Sequence, residues 1–236
     1  MTVSGPGQFN YEVSGTGPPL MFIHGLAGSF SWWQRNIYAC REHFQTFCVD
    51  LVGFGSSRRL GRFDLERSIP LLLAWMDERG IERASIVGHS MGGLIAARLA
   101  AEAPDRVDKL VLVDAAFLGF DAGLFRRGIG LAGAIRQGPH DFWPVLARDS
   151  LRADPRSLFA ATQQLLRSDW SHILSEIEAP TLIIWGDRDK VTPLKIGEAM
   201  HLAIPGSQLV VIEQAGHNSM WDQPNSFNQK LLDFLI

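Results

Sequence analysis

Residues 84–93 are Ala-Ser-Ile-Val-Gly-His-Ser-Met-Gly-Gly, and this stretch decides how the chain folds. The apolar run at 84–87 predicts a buried strand, and the Leu- and Ala-rich run at 93–100 predicts a helix. The pattern G-x-S-x-G between them places Ser90 on a tight strand-to-helix turn, where its side chain projects out of the sheet. Small neighbours suit this turn because its strained backbone leaves no room for large side chains. The stretch therefore indicates nucleophilic serine chemistry.

Strand-like and helical segments alternate on both sides of this turn. Strands are predicted at 9–13, 20–23, 44–49, 84–87, 107–114, 181–185 and 208–212, and helices at 31–43, 64–79, 93–100 and 223–236, with Pro104 closing the third helix. Gly80 is the expected stop of the second helix. This alternation predicts an α/β fold, with a mostly parallel central sheet covered by helices on both faces. Ligands of such sheets bind at the carboxyl ends of the strands.

The alternation breaks between Phe117 and Trp170. This segment has no clear strand, several helical stretches, and interruptions at Gly138-Pro139, Pro144 and Pro155. We expect a core formed by residues 1–116 and 171–236, with residues 117–170 as a small helical lid. The lid would be inserted after the strand that follows the nucleophile helix. Its many apolar residues suit a roof over an acyl chain or an aromatic ester.

Composition narrows the class of protein. The 236 residues are 46% hydrophobic and 20% charged, with a formal net charge of −3, as is ordinary for a globular protein. No long basic stripe favours nucleic acid, and no apolar run reaches the length of a membrane span. Residues 1–19 lack the features of a secretory signal, so we expect a cytoplasmic protein. We expect a monomer or a homodimer, a choice that the sequence leaves open. Cys40 and Cys48 are expected to be free thiols, with Cys48 buried in a strand.

A serine nucleophile needs a base to take its proton, and the base needs a partner that holds its tautomer. His217 follows the last predicted strand, and Asp187 and Asp189 follow the strand before it. The chain order Ser, Asp, His is the order that goes with this type of turn.

Five segments in this order resemble the α/β-hydrolase fold superfamily, and within it the serine carboxylesterases, over almost the whole chain. They are His24-Gly25-Leu26, Asp50–Ser57, Gly88–Gly93, Gly186–Pro193 and Gly216-His217. The resemblance implies Ser90 as nucleophile, His217 as base and then acid, and Asp189 as the orienting carboxylate. It assigns Asp187 to fixing its own loop. Asp114 is an alternative acid, because some relatives place theirs after that strand.

The resemblance also implies where the developing oxyanion is bound. Its donors would be the backbone N–H groups of Leu26 and Met91, the latter at the start of a helix. The expected substrate-binding side chains are Leu26, Trp32, Met91, Phe142 and Trp221. His24 is expected to brace the oxyanion loop, and His89 to pack or hydrogen-bond locally.

The predicted activity is cleavage of small to medium carboxylic esters through an acyl-enzyme, with no metal and no organic cofactor. Thioesterases, lactonases and carbon–carbon bond hydrolases share the same catalytic residues, so these residues alone do not separate them. A ligand receptor with little turnover is a further alternative. The expected partner is a small-molecule ester, not a nucleic acid or a membrane.

Overall fold

The structure is a computed structural model, and it describes residues 2–3, 9–117, 141–167 and 169–236. Its described strands form one sheet in the order β1-β2-β4-β3-β5-β6-β7-β8. The strands are β1 Thr2–Val3, β2 Asn10–Ser14, β3 Pro19–Ile23, β4 Gln45–Asp50, β5 Ala84–His89, β6 Val107–Val113, β7 Thr181–Gly186 and β8 Gln208–Ile212. β2 is antiparallel to β1 and β4, and the other pairs are parallel. The predicted mostly parallel sheet is confirmed.

Helices cover both faces of this sheet. Those within the described residues are α1 Gln34–Cys40, α2 Leu65–Glu78, α3 Met91–Glu102, α4 Trp143–Arg152, α5 Pro155–Arg167, α6 Leu194–Ala203, α7 Ser219–Asp222 and α8 Pro224–Leu235. Alternate residues of the central strands point to opposite faces. On one face Met21 and Ile86 join the apolar cluster of α2, α3 and α6. On the other face Phe22 and Val87 join the cluster of α1 and α8.

The α2 helix shows how local sequence sets an element. Asp64 caps it, accepting a hydrogen bond from the Glu66 amide at 3.0 Å. Leu65, Ile69, Leu72 and Met76 recur at helical spacing and are buried, whereas Leu73 is partly exposed. Gly80, with φ +64°, follows the helix end, so the predicted stop is confirmed.

The segment predicted as helix at 31–43 is divided in the structure. Its first residues form a 3-10 turn, Phe30–Trp33, and the α-helix spans only Gln34–Cys40. Ser29 caps the 3-10 turn through its hydroxyl, which accepts from the Ser31 amide at 3.3 Å. The extended backbone of Ser29 fixes this start, and helical periodicity alone does not reveal such a turn.

Part of the predicted lid lies between β6 and β7 as α4 and α5. Pro144 and Pro155 sit in the first turns of these helices, where a missing N–H leaves no helical hydrogen bond unmade. The expected interruptions there are therefore helix starts. Gly138-Pro139 and most of the first half of the predicted lid lie outside the described residues.

The start of α5 is tied to the loop after β4. The Asp154 amide donates to the Gly53 carbonyl at 2.9 Å, and the Ser157 hydroxyl accepts from the Phe63 amide at 2.9 Å. These bonds anchor the second half of the inserted segment to the sheet edge where β4 ends.

Cys40 and Cys48 are free and buried, as expected. Burial raises the pKa of the Cys40 thiol to about 12 and raises the pKa of Cys48 well above its usual value. Within the described ranges, no helix has the length and apolar character needed to cross a membrane.

Candidate active site

Ser90 stands between β5 and α3 with φ 53° and ψ −117°, a conformation that is strained for a residue other than glycine. Its amide donates to the Val113 carbonyl at 2.9 Å, and its carbonyl accepts from the Ala116 amide at 3.0 Å. The end of β6 therefore holds the turn from the side. This over-determined backbone fixes the direction of the Ser90 side chain.

Glycines let the turn close. A Cβ built on Gly88 would lie 2.3 Å from the Gly92 carbonyl oxygen, and one built on Gly92 would lie 2.3 Å from the Ile23 carbonyl oxygen. Both contacts are to backbone, which cannot move aside without disturbing β3 and α3. The expectation that larger side chains would not fit beside Ser90 is confirmed.

Ser90, His217 and Asp189 meet in one hydrogen-bonded line. The Ser90 Oγ lies 3.0 Å from His217 Nε2, and His217 Nδ1 lies 2.8 Å from Asp189 Oδ2. These residues follow β5, β8 and β7, whose carboxyl ends share one edge of the sheet. The Asp189 side chain is fully buried, and the His217 side chain is 9% exposed. Because the carboxylate can only accept, Nδ1 carries the proton and Nε2 faces the serine hydroxyl as acceptor.

The Asp189 loop fixes its carboxylate from several sides. Oδ1 accepts from the Val191 and Thr192 amides at 2.7 and 2.9 Å. Oδ2 accepts from the Thr192 hydroxyl at 2.7 Å in addition to His217. Asp187 is exposed and accepts from the Ala215 amide at 3.2 Å, which ties its loop to the loop of His217. Of the two aspartates that follow β7, the structure places Asp189 against the histidine.

The electrostatic surroundings favour a protonated His217 more than its burial opposes it. Burial of the ring lowers its pKa, but the charge of Asp189, their hydrogen bond, and then the charges of Asp114 and Asp222 raise it. The net pKa lies above the ordinary value of 6.5. Burial also raises the pKa of Asp222 to about 6, although the Gly216 amide donates to this carboxyl at 2.7 Å. The site thus holds an imidazole able to take and return a proton near neutral pH.

Leu26 and Met91 are the residues whose amides were predicted to bind the oxyanion. Met91 is the first residue of α3, so its N–H has no partner inside the helix. Leu26 lies in the loop after β3, before Ala27 with φ 61°. Among the described residues, neither amide donates a hydrogen bond to a backbone carbonyl.

His24 braces this loop. Its Nε2 accepts from the Leu51 amide at 3.0 Å, and its Nδ1 lies 2.7 Å from the Gly25 carbonyl, to which it donates. Burial lowers the pKa of His24, consistent with a neutral ring that donates once and accepts once. The predicted bracing role agrees with this geometry.

His89 connects the serine turn with the histidine loop. Its Nε2 lies 2.7 Å from the His217 carbonyl oxygen, and the ring is fully buried. Burial, and then the neighbouring His217, lower the pKa of His89 well below its usual value. His89 was expected to pack or hydrogen-bond locally; its hydrogen bond instead reaches the His217 loop, 128 residues further along the chain.

The three predicted substrate-binding aromatic residues form one buried cluster. The Phe142 ring lies between Trp32, at 5.3 Å, and Trp221, at 4.8 Å, measured between ring centroids. Trp32 in turn lies 5.7 Å from the His89 ring. The structure therefore brings Phe142, from the inserted segment, next to residues that adjoin the candidate site.

Two carboxylates hold this cluster in place, a role that was not predicted for them from the sequence. Asp149 Oδ2 accepts from the Ser29 hydroxyl at 2.7 Å and from the Trp32 indole at 3.1 Å, and Asp141 accepts from the Trp221 indole at 3.3 Å. Asp141 also pairs with Arg35. A signal for Asp149 exists, because it lies three residues after Leu146 on the apolar face of α4. In the described ranges, no group of three or more His, Cys, Asp or Glu side chains could hold a metal ion.

Comparison with known proteins identifies the family. The sequence profile of the alpha/beta hydrolase fold matches residues 18–129 and 150–224, and the chain belongs to this family. It is 31% identical to the 2-hydroxy-6-oxononadienedioate/2-hydroxy-6-oxononatrienedioate hydrolase of Paraburkholderia phymatum, over 97% of this chain and 91% of that protein. It is 30% identical to the pimeloyl-[acyl-carrier protein] methyl ester esterase of Vibrio vulnificus, over 96% of this chain and 98% of that protein.

A solved structure of a hydrolase from Pseudomonas aeruginosa PA01 superposes with a TM-score of 0.83 at 28% identity, covering 96% of this chain and 94% of that one. Together with the family match, this confirms the predicted α/β-hydrolase fold and the predicted hydrolase class.

Proposed function

We propose that this protein is a serine carboxylesterase that cleaves esters of small to medium acyl chain through Ser90, His217 and Asp189. The observation that supports it best is the unbroken line of hydrogen bonds from the Ser90 hydroxyl to the Asp189 carboxylate. Similarity to a methyl ester esterase over nearly the whole chain agrees with this activity.

In the proposed cycle, His217 Nε2 takes the Ser90 proton while the serine oxygen attacks the ester carbonyl. Asp189 stabilises the imidazolium that forms and keeps the ring in register. The protonated Nε2 then gives its proton to the leaving alcohol, which departs and leaves an acyl-serine. A water molecule, activated by the same histidine, cleaves the acyl-serine and restores the free hydroxyl. The cycle uses no metal and no organic cofactor.

The Leu26 and Met91 amides would bind the tetrahedral oxyanion. Met91 opens α3, so the positive end of the helix dipole adds to its N–H. Loss of one such donor typically costs about 10²–10³ in turnover. Because both donors are backbone groups, side-chain changes at these positions would alter the acyl pocket and leave the donors in place.

The acyl side of the pocket would be lined by Leu26, Trp32, Met91, Phe142 and Trp221, beneath a lid of residues 117–170. The support for this assignment is the cluster in which Trp32 and Trp221 enclose Phe142. A cytoplasmic location and a monomeric or homodimeric state stay predictions from the sequence.

The test is pre-steady-state hydrolysis of p-nitrophenyl acetate and butyrate. We expect a burst of p-nitrophenol close to one equivalent per protein, stoichiometric labelling by a fluorophosphonate, and loss of both in Ser90→Ala. Undiminished turnover in Ser90→Ala would refute the covalent route. Saturable ester binding with neither burst nor labelling would instead favour the receptor alternative.

A second candidate activity is carbon–carbon bond hydrolysis. The observation in its favour is the 31% identity to the 2-hydroxy-6-oxononadienedioate/2-hydroxy-6-oxononatrienedioate hydrolase of Paraburkholderia phymatum. A panel of esters, thioesters, lactones and a vinylogous diketone, assayed side by side, separates the candidates. A kcat/KM for the diketone well above every ester would replace the esterase proposal with this one.

A further inference from the structure

Asp114 is a fully buried acidic residue that has no role in the proposed cycle. It follows β6, the strand between those that carry Ser90 and Asp189. Its backbone has φ 45°, a left-handed conformation that costs energy in a residue with a Cβ. Such a conformation persists only where the surroundings over-determine it.

The Asp114 carboxylate joins two loops. Oδ1 accepts from the Gly186 amide at 2.8 Å, and Oδ2 accepts from the Ser219 hydroxyl at 2.7 Å and the Ser219 amide at 3.2 Å. Gly186 lies three residues before Asp189, and Ser219 lies two residues after His217. One side chain therefore holds both the start of the loop that carries Asp189 and the end of the loop that carries His217.

The Asp114 backbone strengthens the same connection. Its amide donates to the Ile184 carbonyl at 3.0 Å, and its carbonyl oxygen lies 3.1 Å from the Thr192 hydroxyl oxygen. That hydroxyl also reaches Asp189 Oδ2, at 2.7 Å, and His217 Nδ1, at 3.2 Å. A single intervening side chain, that of Thr192, thus separates Asp114 from both Asp189 and His217.

The hydrogen bonds suit a carboxylate. All three bonds to the Asp114 side chain are donated to it, whereas a protonated carboxyl would have to donate one itself. Burial, and then the charge of Asp189, raise the pKa of Asp114 well above its usual value, although the charge of His217 and the donors from Ser219 and Gly186 lower it. The ionised form would place a second negative charge behind the imidazolium.

The titratable and charged groups around His217 come from five elements or their adjoining loops. Asp189 faces it from the loop after β7, Asp114 from the end of β6, and Asp222 from α7. His89, at the end of β5, faces it as a neutral ring. Arg35, on α1, lowers the pKa of Asp222 through its positive charge.

We propose that Asp114 is a positioning residue that holds the Asp189 and His217 loops in register and supports the imidazolium. The proposal rests on the function proposed above. It assigns to Asp114 a task distinct from that of the orienting acid, because its carboxylate bonds Gly186 and Ser219 and leaves the bond to His217 Nδ1 to Asp189.

The test is Asp114→Asn, which keeps the shape and volume of the side chain. In either orientation of the new amide, its NH₂ group faces a hydrogen-bond donor, either the Gly186 amide or the two donors of Ser219. We expect kcat to fall about 10- to 100-fold with KM unchanged, since small displacements of reacting groups cost this much. The acid limb of the kcat/KM profile should shift to lower pH, because one negative charge near His217 is removed. Asp108→Asn, on the exposed part of β6, is the matched control and should change neither.

Two measurements separate positioning from mere structural support. Rates are normalised to the protein that a fluorophosphonate titrates, so unfolded chains do not count. The pKa of His217 is also measured by NMR in a Ser90→Ala background, where no turnover is needed. A titrated kcat and a His217 pKa equal to those of the parent would overturn the proposal.

Ser219→Ala tests the same contact if Asp114→Asn does not fold. It removes only the hydroxyl donor, so we expect a smaller fall in kcat and a smaller shift of the His217 pKa in the same direction. Parent values for both quantities would again overturn the proposal. Undiminished turnover in Ser90→Ala alone, with the His217 shift still present, would refute the esterase cycle and leave the positioning role standing.

Discussion

Replacing Asp189 by asparagine should remove most of the activity while leaving the fold intact. Asp189 Oδ1 accepts hydrogen bonds from two backbone amides at 2.7 and 2.9 Å. In Asp189→Asn the side-chain amide oxygen should therefore take the Oδ1 position, because only the oxygen can accept these bonds. The new NH₂ then faces His217 Nδ1, now 2.8 Å from a carboxylate oxygen. Because NH₂ donates, His217 must accept at Nδ1 and carry its proton on Nε2, towards Ser90. In that tautomer the ring cannot take the serine proton.

The magnitude follows from the same geometry. A wrong tautomer of the base in a serine–histidine–aspartate site costs about 10⁴ in kcat, which corresponds to about 5.5 kcal/mol of transition-state stabilisation. The assay is steady-state hydrolysis of p-nitrophenyl acetate at saturating substrate, with circular dichroism to verify folding.

Asp187→Asn is the matched control for this prediction. Asp187 is exposed and accepts one amide hydrogen bond, at 3.2 Å from Ala215, which an amide oxygen can also accept. Its kcat should stay near that of the parent. An inactive Asp187→Asn beside a nearly normal Asp189→Asn would reverse the assignment of the acid.

Three further outcomes are expected. The kcat/KM for a p-nitrophenyl ester should rise with pH to a plateau, with the midpoint of the rise above pH 6.5. The surrounding carboxylates raise the pKa of His217, and only the neutral ring can act as a base. A midpoint below pH 6.5 in a rate profile over pH 4.5–9 would contradict this prediction. Gly92→Ala should prevent folding, because its Cβ would lie 2.3 Å from a β3 carbonyl oxygen. The control Gly80→Ala meets no atom within 4 Å, so it should lower the unfolding free energy by only about 1–2 kcal/mol, the cost of a Cβ at a φ of +64°. Equal losses of the two variants in urea unfolding would show the packing argument to be wrong. Asp149→Asn should lower the unfolding free energy by about 1.5–3 kcal/mol and alter the fluorescence of Trp32, whose indole donates to this carboxylate; an unchanged urea midpoint would count against a stabilising role of Asp149.

Local features of the sequence predicted most of the sheet. The apolar run before Gly88 and the glycines after Ser90 are short-range signals, and both the strand and the turn lie where these signals place them. Parallel strands bring their carboxyl ends to one edge, which explains why His217 could be expected near Ser90 from chain order alone. The choice of Asp189 over Asp187 came from the family resemblance, since both follow the same strand.

The parts that escaped prediction depend on distant partners. Asp149 bonds the Ser29–Trp32 turn across more than a hundred residues, and Asp114 bonds Ser219 across a similar distance. Periodicity shows which face of an element is apolar, but it does not show which loops meet there. The 3-10 turn before α1 escaped for a related reason, because its start depends on the conformation of Ser29.

The backbone of Ser90 is hydrogen-bonded on one side to Val113, the last residue of β6, and on the other to Ala116, just before Phe117. The support of the nucleophile is thus complete upstream of the point where the inserted segment begins. Chimeras that exchange everything between Phe117 and β7 for the corresponding part of a relative would keep this support unchanged. Such chimeras offer a direct way to vary the substrate preference while the backbone support of Ser90 stays the same.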